Sequence, residues 1–440
     1  MCKFLSVFLI LALFSCGANY TPRAPEEVPF LKRAQTQSRG GLTVTAAVLS
    51  REESEEVFGV DLAAKGIQPV WLEIENNTDA PFAFMPIALD LDYFSPNEVS
   101  WLNHFKFNRS LNRKMDEHFS EHSIEVEYII PGEKDKGFVY SNLDPGIKYV
   151  NVTLYQLDRI ERFVFLFEVP GIQPDYQNVD FEELYSNDEI VNIENENDLR
   201  AVLENIPCCT VDKKGEGEGH PVNIILIGDP DDTFSGIIRR GWDVTEADTD
   251  SFDIDLRKMF STARYRTFPM TSLHMYGRRQ DISLQKSRHA GHTPYRQRNQ
   301  MRLWLTPFRY RGDSVWIGSV SRDIGSDLRV RKYWFAAQEI DPDIDETRDY
   351  VVEDLVLSQQ VHKLGYVKGT GAANSENPRT DLFGHPWWSD GYRAVFLFGK
   401  DSITLGDMEF FPWEDIHSVP SLELEFGNRN ERNDDRGLGN

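Results

Sequence analysis

Residues 221–228 read Pro-Val-Asn-Ile-Ile-Leu-Ile-Gly, and this run decides the fold of the second half of the chain. Its apolar residues are consecutive rather than alternating, which is typical of a strand that is buried on both faces. Asp231 and Asp232 follow and predict the start of a short helix through Arg240. Further strand-like runs lie at 272–286, 300–306, 314–322, 332–340 and 393–398. Together they predict an α+β domain with a largely antiparallel sheet over residues 193–420.

Residues 41–171 have the pattern of a separate β-rich domain. Between Lys148 and Tyr155 apolar and polar residues alternate, as a half-buried strand requires. Turn signals such as Pro131-Gly132 separate the strand-like runs. The segment from Glu98 to about Glu121 is helix-like and rich in aromatic residues. These features predict an immunoglobulin-like β-sandwich with a helical insertion.

The N-terminal segment has the features of a bacterial export signal that ends in a lipidation box. Lys3 precedes an apolar run from Phe4 to Phe14, and Cys16 stands where a lipoprotein carries its diacylglycerol. The run is shorter than the about 20 apolar residues of a membrane-spanning helix. The sequence therefore predicts a signal peptide over 1–15, a lipid anchor on Cys16 and a location in the cell envelope.

The segments between and beside the two domains are polar. Residues 16–40 contain three prolines and predict a flexible tether. Residues 172–192 are acidic and irregular, which predicts a linker, and residues 421–440 predict a disordered tail. Gly17 favours the periplasmic side of the outer membrane over the inner membrane.

The composition narrows the classes of partner. The chain has 440 residues and a formal net charge of −24, so nucleic acid is excluded as a partner. Beyond Cys2 and Cys16, the cysteines are the adjacent pair Cys208 and Cys209. A disulfide between neighbours closes a small strained ring, so the pair is predicted as two reduced, buried thiols. No cysteine spacing suits a zinc site, and no cofactor is predicted.

The sign of the charge reverses between Arg264 and Lys332, where arginines and lysines far outnumber the acidic residues. Arginine forks suit phosphate, sulfate or carboxylate groups, so the block predicts an anion-binding face. The alternative is that these arginines pair with the protein's own carboxylates. The candidate ligand residues are Arg279, Asp281, Lys286, Arg298, Arg302, Arg322, Asp323, Asp390 and Arg393. If 273–286 is one strand, Arg279 and Asp281 share a face and form a charge pair.

Two metal-like patterns are weaker. His289 and His292 have a ligand spacing but no nearby carboxylate. Asp341, Asp343 and Asp345 imitate the start of a calcium loop that lacks the required glycine and bidentate glutamate. Asp343 and Asp345 are instead predicted to cap and charge the following helix, and no metal site is predicted.

Residues 221–399 resemble the LssY C-terminal domain family, through several separate motifs in the same order. The motifs are Pro-Val-Asn-Ile-Ile-Leu-Ile-Gly (221–228), Gly-Arg-Arg-Gln-Asp-Ile-Ser-Leu-Gln-Lys (277–286), Arg-Asn-Gln-Met-Arg-Leu-Trp-Leu-Thr-Pro (298–307), Ser-Arg-Asp-Ile-Gly (321–325), Ile-Asp-Pro-Asp-Ile-Asp-Glu-Thr-Arg-Asp (340–349) and Asp-Gly-Tyr-Arg (390–393). Some members of the family carry the domain beside membrane segments that resemble lipid-phosphate phosphatases. The resemblance therefore implies envelope lipid or glycan chemistry.

The resemblance also bears on catalysis. Histidines often occupy the positions that match Gln300 and Gln338, and glutamine neither titrates nor ligates a metal well. A non-enzymatic envelope lipoprotein that binds an anionic envelope component or a protein partner is therefore the favoured prediction. The alternative is a hydrolase of phosphoester or glycan-lipid substrates. Its anionic pocket would be formed by Arg279, Asp281, Arg302, Arg322 and Asp323.

Overall fold

We describe a computed structural model of the chain, which divides into two compact units between Ile172 and Gln173. The structure describes residues 20–124, 128–144, 146–169, 174–245, 270–287, 298–327 and 337–413, without the side chains of 325–327 and 337–338. The predicted signal peptide 1–15, Cys16, the tail 421–440, His289 and His292 lie outside these residues. Within the described ranges, no helix is both long and apolar enough to cross a membrane.

The described residues of the first unit form two antiparallel sheets. The strands are β1 (Gln35–Arg39), β2 (Leu42–Val48), β3 (Ile67–Asn76), β4 (Phe82–Phe84), β5 (Tyr128–Ile129), β6 (Lys134–Asn142), β7 (Gly146–Tyr155) and β8 (Ile160–Val169). The sheets have the orders β1-β2-β3-β6 and β5-β4-β7-β8. Val44 and Leu72 of one sheet share an apolar core with Val150 and Val152 of the other. The two sheets therefore enclose one core, and the β-rich prediction for this unit is confirmed.

Helices α1 (Arg51–Phe58), α3 (Pro96–Leu102) and α4 (Arg109–Glu121) pack on the outer face of the first sheet. Helix α2 (Pro86–Leu89) instead places Leu89 in the core between the two sheets. Ser50 and Glu53 form a capping box at α1. Trp71 and Phe138 point away from the shared core and pack with Phe119 of α4. The predicted helical insertion is thus present as α3 and α4.

Residues 20–40 belong to the first unit instead of forming the predicted tether. Tyr20, Val28 and Phe30 are buried in the apolar cluster of the helices. Residues 35–39 then add β1 to the edge of the first sheet. The prolines of this segment begin two short 3-10 helices, Pro25–Glu27 and Pro29–Arg33, rather than extending the chain into solvent.

The second unit contains a large sheet with helices packed against it. Its strands are β9 (Val191–Ile193), β10 (Ile224–Gly228), β11 (Asp243–Val244), β12 (His274–Met275), β13 (Arg278–Arg279), β14 (Ile282–Ser287), β15 (Arg298–Tyr310), β16 (Asp313–Asp327), β17 (Ala337–Ile340), β18 (Val361–Lys368), β19 (Arg379–Thr380), β20 (Pro386–Trp387), β21 (Tyr392–Phe398) and β22 (Glu409–Phe410). Its helices are α5 (Glu196–Glu204), α6 (Pro230–Arg239) and α7 (Ile344–Val356). Asp343 caps α7, as predicted.

The main sheet has the order β11-β14-β15-β16-β10-β21-β18-β22, with β17 beside β16 and β9 beside β15. Most neighbours are antiparallel, while β10 runs parallel to β21. Strand β10, which is the apolar run of 221–228, lies in the interior of this order and is buried throughout. The prediction of a largely antiparallel α+β unit is therefore confirmed.

The predicted single strand over 272–286 is interrupted. Strands β12 and β13 form a hairpin that turns at Tyr276 (φ 52°) and Gly277 (φ 76°), and β14 begins at Ile282. Two consecutive positive φ angles are the signature of a two-residue hairpin turn. The alternation of side chains along one strand therefore does not apply across this stretch.

Residues 174–192, which the sequence predicts as part of a linker, contact the second unit. Ser283 donates a 2.5 Å hydrogen bond to Asp175, which is buried. The hydroxyl of Tyr185 donates to the carbonyl oxygen of Leu305 at 2.9 Å. Most residues of this segment are polar or acidic, and only single side chains are buried. Single buried side chains give no periodic pattern, so the sequence did not predict these contacts.

The two adjacent cysteines, Cys208 and Cys209, are joined in a disulfide, so the prediction of two reduced thiols is corrected. That prediction considered the ring between the neighbours and not their surroundings. The carbonyl of Cys208 accepts a 2.7 Å hydrogen bond from the amide of Val222, and Cys209 pairs with Pro221. This backbone pairing fixes the chain around the two sulfur atoms.

Candidate functional site

A group of buried polar side chains covers one end of the main sheet. The register places Arg302 between Ser283 and Ser319 on the neighbouring strands, and Gln300 between Gln285 and Ser321. Side chains two residues apart on a strand point to the same face. The polar sheet face defined in this way consists of Ser283, Gln285, Arg298, Gln300, Arg302, Ser319, Ser321 and Asp323, all of them buried.

Arg302 is the centre of the polar sheet face. Its side chain is 2% exposed, and its Nε donates to the carbonyl oxygen of Thr271 at 3.2 Å. One terminal nitrogen donates to Gln300 at 3.1 Å. The other, Nη1, has no hydrogen-bond partner among the described residues. Burial lowers the pKa of Arg302 to about 10, so the side chain stays charged at neutral pH.

Asp323 lies beside it on the same face. Gln300 donates a 2.6 Å hydrogen bond to Oδ2 of Asp323 and so bridges Asp323 and Arg302. Oδ1 of Asp323 and the hydroxyls of Ser319 and Ser321 have no partner in the described part of the chain. Burial raises the pKa of Asp323 to about 6, against the opposing effects of Gln300 and Arg302. Asp323 therefore titrates within a physiological range of pH.

Two histidines and an aspartate that the sequence argument missed lie next to this face. Oδ2 of Asp381 is 3.2 Å from Nδ1 of His385 and 3.3 Å from Nε2 of His220. Oδ1 of Asp381 accepts the backbone amides of Phe383 and His385. The histidines interact electrostatically with the polar sheet face. The charge of Asp323 raises the pKa of His385, and the charge of Arg302 lowers the pKa of His220.

The two histidines have opposite electrostatic environments. The hydrogen bond to Asp381 is the main cause of the raised pKa of His385, while burial lowers the pKa of His220. Burial by itself raises the pKa of Asp381, but hydrogen bonds to the histidines hold it well below its usual range. Asp381 is therefore an anion that orients His385 through Nδ1, as in the histidine–carboxylate pairs of acid–base sites.

Several predicted ligand residues are instead paired within the fold. Lys286 contacts both carboxylate oxygens of Asp354 at 2.7 and 2.8 Å. Arg322 donates to Glu346 at 2.9 Å and, by alternation, lies on the opposite side of β16 from Asp323. For Lys286 and Arg322, the alternative reading of internal pairing is the correct one.

The predicted pair of Arg279 and Asp281 is also corrected. Arg278 forms the two-pronged contact with Asp281, at 2.9 and 3.0 Å, because the hairpin resets the direction of the side chains. Arg279 donates to Ser272 at 3.0 Å and approaches Asp175 at 3.9 Å. Arg298 is on the polar sheet face, and its Nη1 lies 3.5 Å from the side-chain oxygen of Gln285.

Asp390 and Arg393 belong to structural clusters. Asp390 accepts two hydrogen bonds from the buried Arg348, at 2.8 and 3.0 Å. Arg393 is fully buried and donates to the backbone carbonyl oxygens of Leu203, Ile206, Pro207, Val222 and Gly369. The carboxylate of Asp390 and the guanidinium of Arg393 are thus both engaged by partners within the fold. Of the predicted set, Arg298, Arg302 and Asp323 are therefore brought together on the polar sheet face.

The family of the second unit follows from its sequence. The family described as LssY C-terminus matches residues 201–392. The second unit contains an LssY C-terminal domain. The match confirms the resemblance seen in the motifs, and it includes the polar sheet face together with His220, Asp381 and His385. No curated protein matches the chain.

Gln300 and Gln338, the two positions where the resemblance implies histidines, differ in what the structure describes. Gln300 lies at the centre of the polar sheet face, where it orients Arg302 and Asp323. The side chain of Gln338 lies outside the described residues. Within the described ranges, no group of histidine, cysteine, aspartate and glutamate side chains is arranged to hold a metal ion. The titratable histidines of the described site are thus His220 and His385, which reach it from outside β15.

Proposed function

We propose that this protein is an envelope lipoprotein, anchored by a lipid on Cys16, whose LssY C-terminal domain binds an anionic group of an envelope component. The polar sheet face would be the binding site. The observation that supports it most directly is that Nη1 of the buried Arg302 has no hydrogen-bond partner among the described residues. We also propose that the two sheets of the first unit form an immunoglobulin-like sandwich that presents or spaces the second unit.

Burying polar groups without hydrogen-bond partners costs free energy, and this favours an anion at the polar sheet face. A buried donor on a charged guanidinium is expensive unless a ligand or water satisfies it. The hydroxyls of Ser319 and Ser321, which also lack partners in the described residues, belong to the same face. One cationic donor and two hydroxyls together suit the oxygens of a phosphoryl or carboxylate group. A site of this kind accepts a small anionic group, not a bulky one.

Inorganic phosphate is expected to raise the melting temperature of the full-length mature protein, and Arg302→Gln is expected to abolish the rise. Glutamine keeps a polar side chain but removes the charge and the fork that a phosphate would use. Thermal unfolding with phosphate and pyrophosphate measures the effect. Arg322→Gln is the matched control on the other face of β16 and should retain it. A rise in melting temperature that survives Arg302→Gln would place the anion elsewhere.

Cys16→Ser is expected to remove the mass of the acyl groups and to lower the share of the protein that is recovered with membranes. The lipid supplies most of the expected membrane affinity, since two acyl chains anchor a protein stably whereas a single chain binds only marginally. Fractionation and intact-mass measurement test this directly. An unchanged mass and an unchanged membrane partition in the variant would refute the proposed lipid anchor.

A phosphoester hydrolase is the second candidate function, and His385 is the observation that favours it. Asp381 holds Nδ1 of His385 at 3.2 Å, so Nε2 is the ring nitrogen that would act as the base. In such a reaction a water attacks phosphorus and its proton passes to Nε2 of His385. The phosphorus–oxygen ester bond breaks, and Nε2 returns that proton to the leaving oxygen. Arg302 would balance the charge on the phosphoryl oxygens.

Hydrolysis of bis(p-nitrophenyl) phosphate and p-nitrophenyl phosphate tests this candidate. If it holds, His385→Gln should lower the rate by at least about a hundredfold, the range for loss of an acid–base group. The rate should rise as the pH passes the raised pKa of His385, because the base must be unprotonated. His362→Gln replaces a histidine that contacts the carbonyl of Asp401, and serves as the control. Absence of turnover in the wild-type protein, with phosphate binding intact, would leave the binding function alone.

A further inference from the structure

The helical insertion of the first unit exposes several large apolar side chains. Phe107 is fully exposed, Trp101 is 73% and Leu91 is 80% exposed, and Leu102 is 44% exposed. Single exposed apolar residues are normal in proteins, but a group within a short segment marks an interaction surface. These four residues, Leu91, Trp101, Leu102 and Phe107, are called the apolar insertion surface below.

The loop that carries Phe107 is fixed by its own hydrogen bonds. The side chain of Asn112 accepts from the amide of Phe105 at 2.8 Å and donates to its carbonyl at 3.1 Å. His104 contacts Asp116 at 2.7 Å, which ties the loop to α4. Phe107 itself has a φ of 69°, a left-handed conformation that aromatic residues rarely adopt. A fixed loop therefore holds an exposed aromatic ring in an unfavourable backbone conformation, and packing in the described fold does not account for this.

Basic side chains accompany the apolar insertion surface. Lys106, Arg109, Arg113 and Lys114 are all exposed, and the sequence between Glu98 and Asp116 contains no acidic residue. In a protein of net charge −24, this is a local reversal of sign. Lysine and arginine beside exposed tryptophan and phenylalanine are typical of segments that lie on anionic lipid.

Tyr20, the first residue that the structure describes, packs against the same insertion. Tyr20 is buried, with its ring centroid 6.4 Å from that of Phe105 and 6.3 Å from that of His118. Cys16 precedes Tyr20 by four residues, which span at most about 14 Å. A lipid on Cys16 would therefore keep the bilayer within about 14 Å of Tyr20, and so close to the insertion.

We infer that the insertion formed by α3, α4 and their connecting loop is a membrane-contacting surface, on which Trp101 and Phe107 enter the headgroup region of an anionic bilayer. This inference rests on the proposed lipidation of Cys16. Tryptophan is favoured at the membrane interface, and the neighbouring basic residues add attraction to anionic headgroups. The surface would orient the first unit on the membrane instead of leaving it free on a tether.

Vesicle flotation of the mature chain (residues 16–440) with Cys16→Ser tests the surface without the lipid anchor. The chain is expected to float with vesicles of phosphatidylglycerol and phosphatidylethanolamine, and at least fivefold less with pure phosphatidylcholine. Adding Trp101→Ser and Phe107→Ser should lower the bound fraction at least fivefold. Leu157→Ser is the matched control, because Leu157 is also fully exposed in the first unit. Unchanged unfolding midpoints establish that every variant is folded.

The outcomes separate this inference from the proposed anchor. Failure of the lipid-free chain to float, or equal flotation of the Trp101 and Phe107 variant, overturns the membrane-contacting surface even if wild-type Cys16 is acylated. A dimer that is lost in the same variant, without vesicle binding, also overturns it and assigns the surface to a second copy of the chain. Absence of acyl groups on wild-type Cys16 overturns the anchor, and with it the inference.

Discussion

Arg393→Met is expected to lower the free energy of unfolding of the second unit by more than about 4 kcal/mol. The guanidinium of Arg393 donates to five carbonyl oxygens at 2.7 to 2.9 Å, and its side chain is fully buried. Each hydrogen bond from a charged donor contributes about 1.5 to 3 kcal/mol, and carbonyls left without donors add a desolvation cost. Urea unfolding of the mature protein, followed by the fluorescence of its tryptophans, measures the change.

The position of Arg393 explains why this effect is large. Leu203 lies in the last turn of α5, where carbonyls have no partner within the helix, so Arg393 satisfies that end of α5. Gly369 is shaped for the same side chain, since it has a φ of 141° and an added Cβ would lie 2.7 Å from the guanidinium carbon. Burial lowers the pKa of Arg393 to about 10, so the charge is kept at neutral pH.

Arg311→Met is the matched control for Arg393→Met. Arg311 is exposed and donates to the carbonyl of Glu194, so its loss should cost less than about 1 kcal/mol. Arg393→Lys should recover part of the stability, because an ammonium group reaches some of the carbonyls but lacks the planar fork. A loss of anion binding by Arg393→Met without a loss of stability would restore Arg393 to the ligand set.

The sequence was informative where a pattern depends on neighbours along the chain. The apolar run at 221–228 predicted a buried strand because consecutive apolar residues need two covered faces, and β10 is buried throughout. The match of residues 201–392 agrees with motifs visible in the sequence. Strand alternation also separates Arg322 from Asp323, and the structure places them on opposite faces of β16.

The predictions that were wrong or missing concern side chains that meet only through contacts between distant parts of the sequence. The pairing of Arg278 instead of Arg279 with Asp281 follows from one hairpin turn at Tyr276, a residue without a turn preference. His220 and His385 reach the polar sheet face from positions 165 residues apart in the numbering, and no local pattern joins them. Their common partner, Asp381, is found only once the chain is folded.

The basic block at 264–332 shows why the sequence could not identify the residues of an anion site. The basic residues of 264–332 look alike in the sequence, but those that the structure describes have different partners. Lys286 pairs with a carboxylate, Arg309 donates to backbone carbonyls, and Arg302 keeps one nitrogen without a partner among the described residues. The number of basic residues does not show which of them can bind an anion. A binding residue needs hydrogen-bond donors that are not already used within the fold.

Asp323→Asn is expected to stabilise the protein at pH 7.5 by up to about 3 kcal/mol and to have little effect at pH 4. Burial raises the pKa of Asp323 from 3.8 to about 6, so the folded state holds a proton that the unfolded state releases. Between these two values the free energy of unfolding falls as the pH rises, because the folded state binds more protons. Asparagine removes this penalty and keeps an oxygen that accepts the hydrogen bond from Gln300.

Asp323→Asn also tests the proposed anion site, because the charge of Asp323 affects an anion bound beside Arg302. Asp323 becomes negative above about pH 6 and then opposes an anion beside Arg302, so phosphate should bind more tightly at pH 5 than at pH 7.5. Asp323→Asn should remove that pH dependence, because the side chain is neutral at both values. Asp188→Asn, the same change at an exposed position of the second unit, should alter neither stability nor binding. If Asp323→Asn instead destabilises the protein at pH 7.5, the carboxylate serves as the partner of Arg302, and Arg302 is then a structural residue rather than an anion ligand.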